Sequence, residues 1–335
     1  MKLIVQIPCF NEADTLPQTV ADIPREIPGV DSVEILVVDD GSTDGTVMAA
    51  RSLGVDHIVS HSCNRGLART FRTGIDAALR LGADIIVNTD GDNQYAGQDI
   101  PKLIGPILRG EAEMVIGDRE TSKVPHFSKK KKLLQTVGSS VVRRLSGTTV
   151  PDAVSGFRAF SREAAFQLNV VSSFSYTIET IIQAGRKQIA ITSVPIRTNG
   201  KTRESRLFKS IPQFLSRSAA TIVRMYSMYY PLKVFCTISA VLMLIGCAPI
   251  VRFLYYWLQG DAGGHVQSLV LGGALVIMGC LTLAAGLLAD LISFNRQLLE
   301  QTLEKVRRME LSRSRRSNGP RVKKSRPRPA RSTTP

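Results

Sequence analysis

Short apolar runs and longer amphipathic ones alternate through the first two hundred residues. Lys2–Ile7, Val33–Val38, Asp56–Ser60, Asp84–Val87 and Glu113–Gly117 are β-branched or near-continuous apolar stretches, the pattern of strands buried on both faces. Between them, Thr46–Leu53 reads as a helix with Gly54 as its C-cap. Gly66–Leu81 carries Leu67, Phe71, Ile75 and Ala78 on one face. Asn11 is expected to cap a further helix, with Glu12 and Asp14 in its first turn. Beyond the fifth strand, Leu134, Val137, Val141 and Leu145 define the apolar face of a helix running from Lys129–Lys132 to Arg143–Arg144. A loop at 152–158, helices at Arg162–Leu168 and Ser175–Arg186, a strand at Gln188–Ile196 and a basic polar loop at Thr198–Arg206 complete the pattern. Strands alternating with helices at this spacing predict an α/β fold with a mostly parallel sheet, whose ligands sit at the carboxyl ends of the strands.

From Phe208 the pattern changes. Phe208, Ile211, Leu215, Ala219, Ile222 and Tyr226 recur at helical spacing opposite Lys209, Arg217 and Arg224. This reads as amphipathic helices at a membrane interface, or as a helix docked on the preceding domain. Phe235–Val251, extended by Phe253–Trp257, and Ser268–Ala289 are uncharged runs of about the 20 residues a bilayer span requires. Two buried core helices are the alternative. The connection 258–267 has no Lys or Arg, whereas Lys233, Arg296 and a basic tail lie on the other side, so a hairpin with both termini cytoplasmic is predicted. Asp290 is expected to face Lys233 within it. The segments are then 1–205 as the α/β domain, 206–232 as interfacial helices, 233–292 as the hairpin (spans near 234–257 and 268–290), and 293–335 as a basic cytoplasmic tail, disordered after about 311. No leader is expected before the first strand.

Charge adds one restriction. Of the net +15 over 335 residues, the stretch 301–335 contributes twelve Lys and Arg against Glu304 and Glu310, so a specific nucleic-acid interface is not implied for the folded part. Cys9, Cys63, Cys236, Cys247 and Cys280 form no CxxC pair and suit reduced thiols. The four histidines are too scattered for a zinc site.

Candidate chemistry collects at strand ends. Asp90 and Asp92 follow the fourth strand one residue apart, and residues i and i+2 of an extended segment point the same way. Two converging carboxylates call for a cation, and hard oxygen donors suit Mg²⁺ or Mn²⁺. A polar loop or helix cap reads the same residues as well. Asn11–Glu12 and Asp39–Asp40 lie at two other strand ends, which favours a metal–nucleotide site. No GxGxxG follows the first strand, so a dinucleotide-binding dehydrogenase is not indicated.

Ile7-Pro8-Cys9-Phe10-Asn11-Glu12, Val37-Val38-Asp39-Asp40-Gly41-Ser42-Thr43-Asp44-Gly45-Thr46, Asn64-Arg65-Gly66 and Asp90-Gly91-Asp92 together resemble family 2 glycosyltransferases. Asp92-Asn93-Gln94 with Pro101, and Asp152 with Ser155-Gly156-Phe157, resemble the polyprenyl-phosphate glycosyltransferases similar to dolichyl-phosphate mannosyltransferase. The resemblance covers roughly residues 1–205. It implies a GT-A fold, a Rossmann-like sheet flanked by helices, here followed by interfacial helices and a transmembrane hairpin. It also implies an inverting transfer from a nucleotide sugar to a dolichyl- or undecaprenyl-type phosphate at the cytoplasmic membrane face.

By resemblance, Pro8, Phe10, Asn11, Glu12, Asp39, Asp40, Asn64, Gly66, Asp90 and Gly91 would contact the nucleotide sugar. Asp90, Asp92 and Gln94 would hold the metal, and Arg119, Lys131, Lys132, Ser155, Arg203 and Arg206 would face the acceptor phosphate and lipid. Asp92 and Arg119 would be the catalytic groups. Asp152 would join them as base if the acceptor were a hydroxyl of a glycolipid or polysaccharide. Gly91 stands where Ala is more usual, and Cys9 where Thr or Ser is. A UDP-sugar is favoured over GDP-mannose. The glycines at 272, 273, 279 and 286 would permit homo-oligomerisation through the spans. A non-catalytic membrane scaffold or sugar-nucleotide sensor is the remaining alternative.

Overall fold

The computed structural model describes residues 1–120, 129–171, 176–199, 211–260 and 265–318. Seven strands, β1 (Lys2–Cys9), β2 (Ser32–Asp39), β3 (His57–Ser60), β4 (Ile85–Asn88), β5 (Met114–Asp118), β6 (Arg158–Ser161) and β7 (Ile191–Pro195), form one sheet in the order β3-β2-β1-β4-β6-β5-β7. All are parallel except β6, which is antiparallel to both β4 and β5. Every parallel strand therefore ends at the same edge, and β6 begins there.

The helices are α1 (Leu16–Ala21), α2 (Thr46–Ser52), α3 (Leu67–Arg80), α4 (Ile100–Leu108), α5 (Lys129–Ser146), α6 (Arg162–Gln167) and α7 (Tyr176–Arg186). They are followed by α8 (Ile211–Tyr229), α9 (Pro231–Leu258) and α10 (Val266–Asn318). The period-two alternation of the strands sorts two cores. Leu3, Val5, Ile7, Ile35 and Val37 pack with Leu16, Ala50 and Leu103 on the face of α1, α2 and α4. Ile4, Leu36, Val38 and Ile86 pack with Phe71, Phe160 and Ile181 on the face of α3, α6 and α7.

Several expectations change. Asn11 caps no helix: α1 starts at Leu16 behind Thr15, and Asn11 takes a left-handed φ of 57°. Its Oδ1 instead accepts the Thr43 backbone N–H at 2.8 Å, tying the first strand end to the second. Arg158, expected to end the 152–158 loop, instead begins the interior strand β6, and the helix expected from Arg162 follows it directly. Of the apolar face expected on α5, the side chains of Leu134 and Val137 lie outside the described residues. Val141 is exposed, while Ser139, Val142 and Ser146 are buried, because α5 approaches α7 through small groups, Gly185 meeting the Ser146 backbone.

Helices α9 and α10 are long and apolar enough to cross a membrane. They pack antiparallel through small residues. Ser239 Oγ donates to the Gly279 carbonyl at 2.8 Å, and a Cβ on Gly246 would lie 3.0 Å from the Gly272 carbonyl oxygen. Gly272, Gly279 and Gly286 thus serve this intramolecular contact, whereas Gly273 faces open space. Asp290 and Lys233 sit at the same end of the pair. No ion pair joins them among the described residues; Lys233 Nζ lies 5.1 Å from the Tyr230 ring centroid.

The C-terminal half of α8 is docked on the α/β domain, with Met225 and Tyr229 buried in the core beside α7. Helix α10 continues without a break past 311, to Asn318, and returns to the same domain. Leu311 is buried there, Arg308 forks Glu163, and Lys187 pairs with Glu300 at 2.9 Å.

Candidate active site

Four strand ends and the loop before β6 build the site. At the end of β1, Pro8 and Cys9 are buried, and the Cys9 carbonyl accepts the Asp40 backbone N–H at 2.8 Å. Burial pushes the Cys9 thiol well above its ordinary pKa, and nearby Glu12 and Asp39 push it the same way, so it is an inert packing group. Glu12 is buried; its backbone N–H donates to Thr46 Oγ1 at 2.9 Å, and its carboxylate lies 3.0 Å from Thr15 Oγ1. Phe10 and Asn11 are half-buried beside it.

At the end of β2 the two aspartates differ. Asp39 is buried and accepts the Ser42 N–H at 3.1 Å, a bond that shapes the 39–45 loop. Asp40 is committed to protein contacts. Oδ1 accepts Arg65 N–H at 2.9 Å and meets His61 Nδ1 at 2.8 Å, and Oδ2 accepts Gly66 N–H at 2.8 Å. Asp40 therefore organises the 64–66 segment, including exposed Asn64 and the Gly66 N-cap of α3. Gly41 sits where these segments cross: its φ is +72°, and a Cβ would stand 2.6–2.9 Å from the backbone of Cys63 and Asn64.

Asp90 and Asp92 follow β4, both half-exposed, with buried Gly91 between them. The Gly91 carbonyl accepts from Thr15 Oγ1 at 2.8 Å and Thr19 Oγ1 at 3.2 Å, and a Cβ there would meet Cys9 Sγ at 3.1 Å and Glu12 Cγ at 3.3 Å. An alanine at this position would press on the β1 end. Asp92 Oδ1 accepts the Gln94 N–H at 3.2 Å, and the Gln94 carbonyl accepts the Asn199 N–H at 2.9 Å. Among the described residues no cluster of three His, Cys, Asp or Glu forms a metal site made of protein alone. Two carboxylates on a turn beside Gln94 are hard oxygen donors of the kind that would suit a divalent ion such as Mg²⁺ or Mn²⁺.

On the far side, Arg119 and Asp152 are both buried and form a two-pronged ion pair, Nε to Oδ2 at 2.7 Å and Nη2 to Oδ1 at 3.0 Å. Burial alone would raise the Asp152 pKa; the guanidinium outweighs it and holds the carboxyl below its ordinary value. Burial likewise acts against the charge on Arg119, but Asp152 keeps that pKa above the ordinary one. Ser155 is fully buried, with its hydroxyl bonded to no described group. The side chains of Lys131 and Lys132, on α5, and the whole of Arg203 and Arg206 lie outside the described residues.

Between the two halves, Gly156 is joined by Gln6, Asn88, Tyr95 and Tyr176, four residues that the sequence did not single out. The Gly156 N–H donates to Tyr95 Oη at 2.9 Å, and Asn88 Nδ2 donates to the Gly156 carbonyl and to Tyr176 Oη, both at 2.9 Å. Gln6 Nε2 donates to Asn88 Oδ1 at 2.8 Å. Burial, the largest influence, raises the Tyr95 phenol to about 12; Arg119 lowers it and Asp90 raises it, so Tyr95 feels both halves. Gln6 and Asn88 were detectable in principle, as polar residues inside otherwise apolar strand runs.

The model of "Glycosyl transferase family 2" matches residues 4–167. The UDP-N-acetylglucosamine–dolichyl-phosphate N-acetylglucosaminyltransferase of Methanococcus voltae is 32% identical over 218 residues, covering 57% of this chain and 83% of that protein. The polyprenol monophosphomannose synthase of Mycolicibacterium smegmatis is 29% identical over 206 residues, covering 58% and 76%. The glucosyl-3-phosphoglycerate synthase of Mycobacterium tuberculosis, solved with Mn²⁺, UDP and phosphoglyceric acid, superposes with a TM-score of 0.54 at 22% identity, covering 67% and 78%. The chain belongs to glycosyl transferase family 2, and the sheet is the GT-A sheet.

Proposed function

We propose that this glycosyltransferase moves a sugar from a nucleotide diphosphate donor to a polyprenyl phosphate at the cytoplasmic face of a membrane, inverting the anomeric carbon in one displacement. The Arg119–Asp152 pair carries the reading. A carboxylate held below its ordinary pKa by a buried guanidinium is a poor general base, and an acceptor phosphate needs none. An acceptor phosphate oxygen forms the new bond to C1 as the bond from C1 to the donor's β-phosphate oxygen breaks, and the nucleoside diphosphate leaves with the electron pair.

Pro8, Phe10, Glu12 and Asp39 would line the nucleoside, with Asp40 holding the adjoining loop. Asp90, Asp92 and Gln94 would hold Mg²⁺ or Mn²⁺, which supplies charge neutralisation for the donor diphosphate. Arg119, positioned by Asp152, and Ser155 would face the acceptor phosphate, together with Lys131, Lys132, Arg203 and Arg206. Helices α9 and α10 would span the bilayer and α8 would lie at its interface, which brings a lipid-borne acceptor to the domain docked beneath them.

Support for the acceptor class comes from two relatives named for dolichyl-phosphate and polyprenol monophosphate chemistry. A UDP-sugar is preferred, since the Methanococcus relative is named for one and the fold neighbour holds UDP. A hydroxyl acceptor with Asp152 as base is disfavoured by the same ion pair. The test is an acceptor exchange, in which polyprenyl phosphate is glycosylated and the corresponding free polyprenol is not. Equal transfer to the alcohol would overturn the reading.

A further inference from the structure

Arg158, the first residue of β6, is fully buried, yet no carboxylate pairs with it among the described residues. Its donors go to neutral oxygens: Nε to the Ser155 carbonyl at 2.7 Å, Nη2 to the Ala153 carbonyl at 2.9 Å, and Nη1 to the Thr177 carbonyl at 2.7 Å and Thr180 Oγ1 at 2.6 Å. Its guanidinium carbon lies 5.8 Å from the Tyr176 ring centroid. Burial draws its pKa down to about 10, so it remains charged at neutral pH. A buried charge without a counter-ion is costly, and an apolar side chain of similar volume would fill the space without that cost. What the charge holds in place accounts for its presence.

The two loop carbonyls it grips, at 153 and 155, lie between the two halves of the site. One residue before them, Asp152 holds Arg119. One residue after them, Gly156 packs on Asp90 so closely that a Cβ would sit 3.0 Å from both carboxylate oxygens. The third carbonyl belongs to α7, which also supplies Tyr176. A planar guanidinium reaches loop and helix together, whereas an ammonium, with one nitrogen, does not.

We propose that Arg158 is a positioning residue, which locks residues 152–156 into one rigid bridge between Asp90 on the donor side and the Arg119–Asp152 pair on the acceptor side. It sets the separation of the leaving and attacking groups without touching either. This rests on the function proposed above. Misplacement of about 1 Å is enough to lower turnover roughly 100-fold.

The test uses the full-length protein in lipid nanodiscs with Arg158→Gln and Arg158→Lys. Expected are unchanged circular dichroism, UDP affinity within about twofold, a kcat about 100-fold lower for Gln with partial recovery for Lys, and a raised ratio of donor hydrolysis to transfer. The last arises because water, unlike the acceptor phosphate, does not depend on the bridge, and a purely structural defect would not move it. A folded Gln variant with wild-type kcat and ratio would overturn the proposal, as would loss of turnover that only parallels loss of folded protein. If the Gln variant does not fold, Thr180→Val, which removes one anchor of the same guanidinium, decides on the same readouts. Should the wild-type protein prefer another acceptor, the functional reading fails by itself, and the ratio measured with that acceptor still decides the role of Arg158.

Discussion

Arg119 and Asp152 meet in a buried, two-pronged ion pair, with both oxygens of the carboxylate engaged at 2.7 and 3.0 Å. The folded pKa of Asp152 lies below its unfolded value. The pair therefore stabilises the fold at every pH above the unfolded carboxylate value near ~4, and the stabilisation is lost only as pH falls through the lower folded value. Between about pH 5 and 8 Asp152 does not titrate. The acid limb of kcat/KM for the acceptor is then expected near pH ~6, where a phosphate monoester takes up its second proton. Asp152→Asn should lower turnover through misplaced Arg119 and leave that limb where it was. A limb that vanishes in the Asn variant would restore Asp152 as the base.

Gly156→Ala should impair the donor side selectively. The added methyl would lie 3.0 Å from both Asp90 oxygens and 3.1 Å from Tyr176 Oη, and Asp90 is the more movable neighbour. The expected result is a higher Mn²⁺ concentration for half-maximal activity, with acceptor KM little changed. Metal titration of initial rates checks it.

Asp40→Asn tests the loop organiser. An amide nitrogen facing Arg65 or Gly66 N–H leaves a buried donor without an acceptor, a loss of about 1–3 kcal/mol. Thermal melting should fall accordingly, and UDP affinity should weaken because the 64–66 segment loosens. Unchanged melting with lost nucleotide binding would instead favour a direct nucleoside contact.

The return of α10 to the α/β domain has an apolar and an ionic part of unequal weight. Arg308–Glu163 is half-exposed, so Arg308→Ala should change stability by less than about 1 kcal/mol. Leu311 is buried, and Leu311→Ala should cost roughly 2 kcal/mol of docking. Limited proteolysis in the 293–312 stretch, compared between the two variants, measures the difference.

Much of the α/β domain was legible because parallel strands buried on both faces leave continuous apolar runs, and because Asp39, Asp90 and their glycines sit directly at strand ends. Strand β6 was hidden. It is four residues long, and its first residue is an arginine, a side chain that looks out of place in a sheet centre until its four neutral acceptors are seen. On α5 the close approach of Gly185 to the Ser146 backbone, with Ser139 also buried, is not visible in a pattern of large aliphatics. The basic composition of the tail conceals the helical spacing of Arg307, Arg308 and Leu311, and the partners of the two arginines, Asp76 and Glu163, are distant in sequence. At Asp40 a strand-end carboxylate is equally suited to a nucleoside and to two backbone N–H groups, so its hold on the 64–66 segment does not follow from the sequence.

The central claim is tested most directly by incubating the protein in a bilayer with polyprenyl phosphate and a panel of labelled nucleotide sugars, with Mn²⁺ or Mg²⁺ and with excess chelator, beside Asp92→Ala. The account predicts one labelled polyprenyl-phosphate sugar of inverted anomeric configuration, formed only with divalent metal and absent in the variant. A lipid-phosphate product formed equally under chelation, or label appearing only on a hydroxyl acceptor, would contradict it.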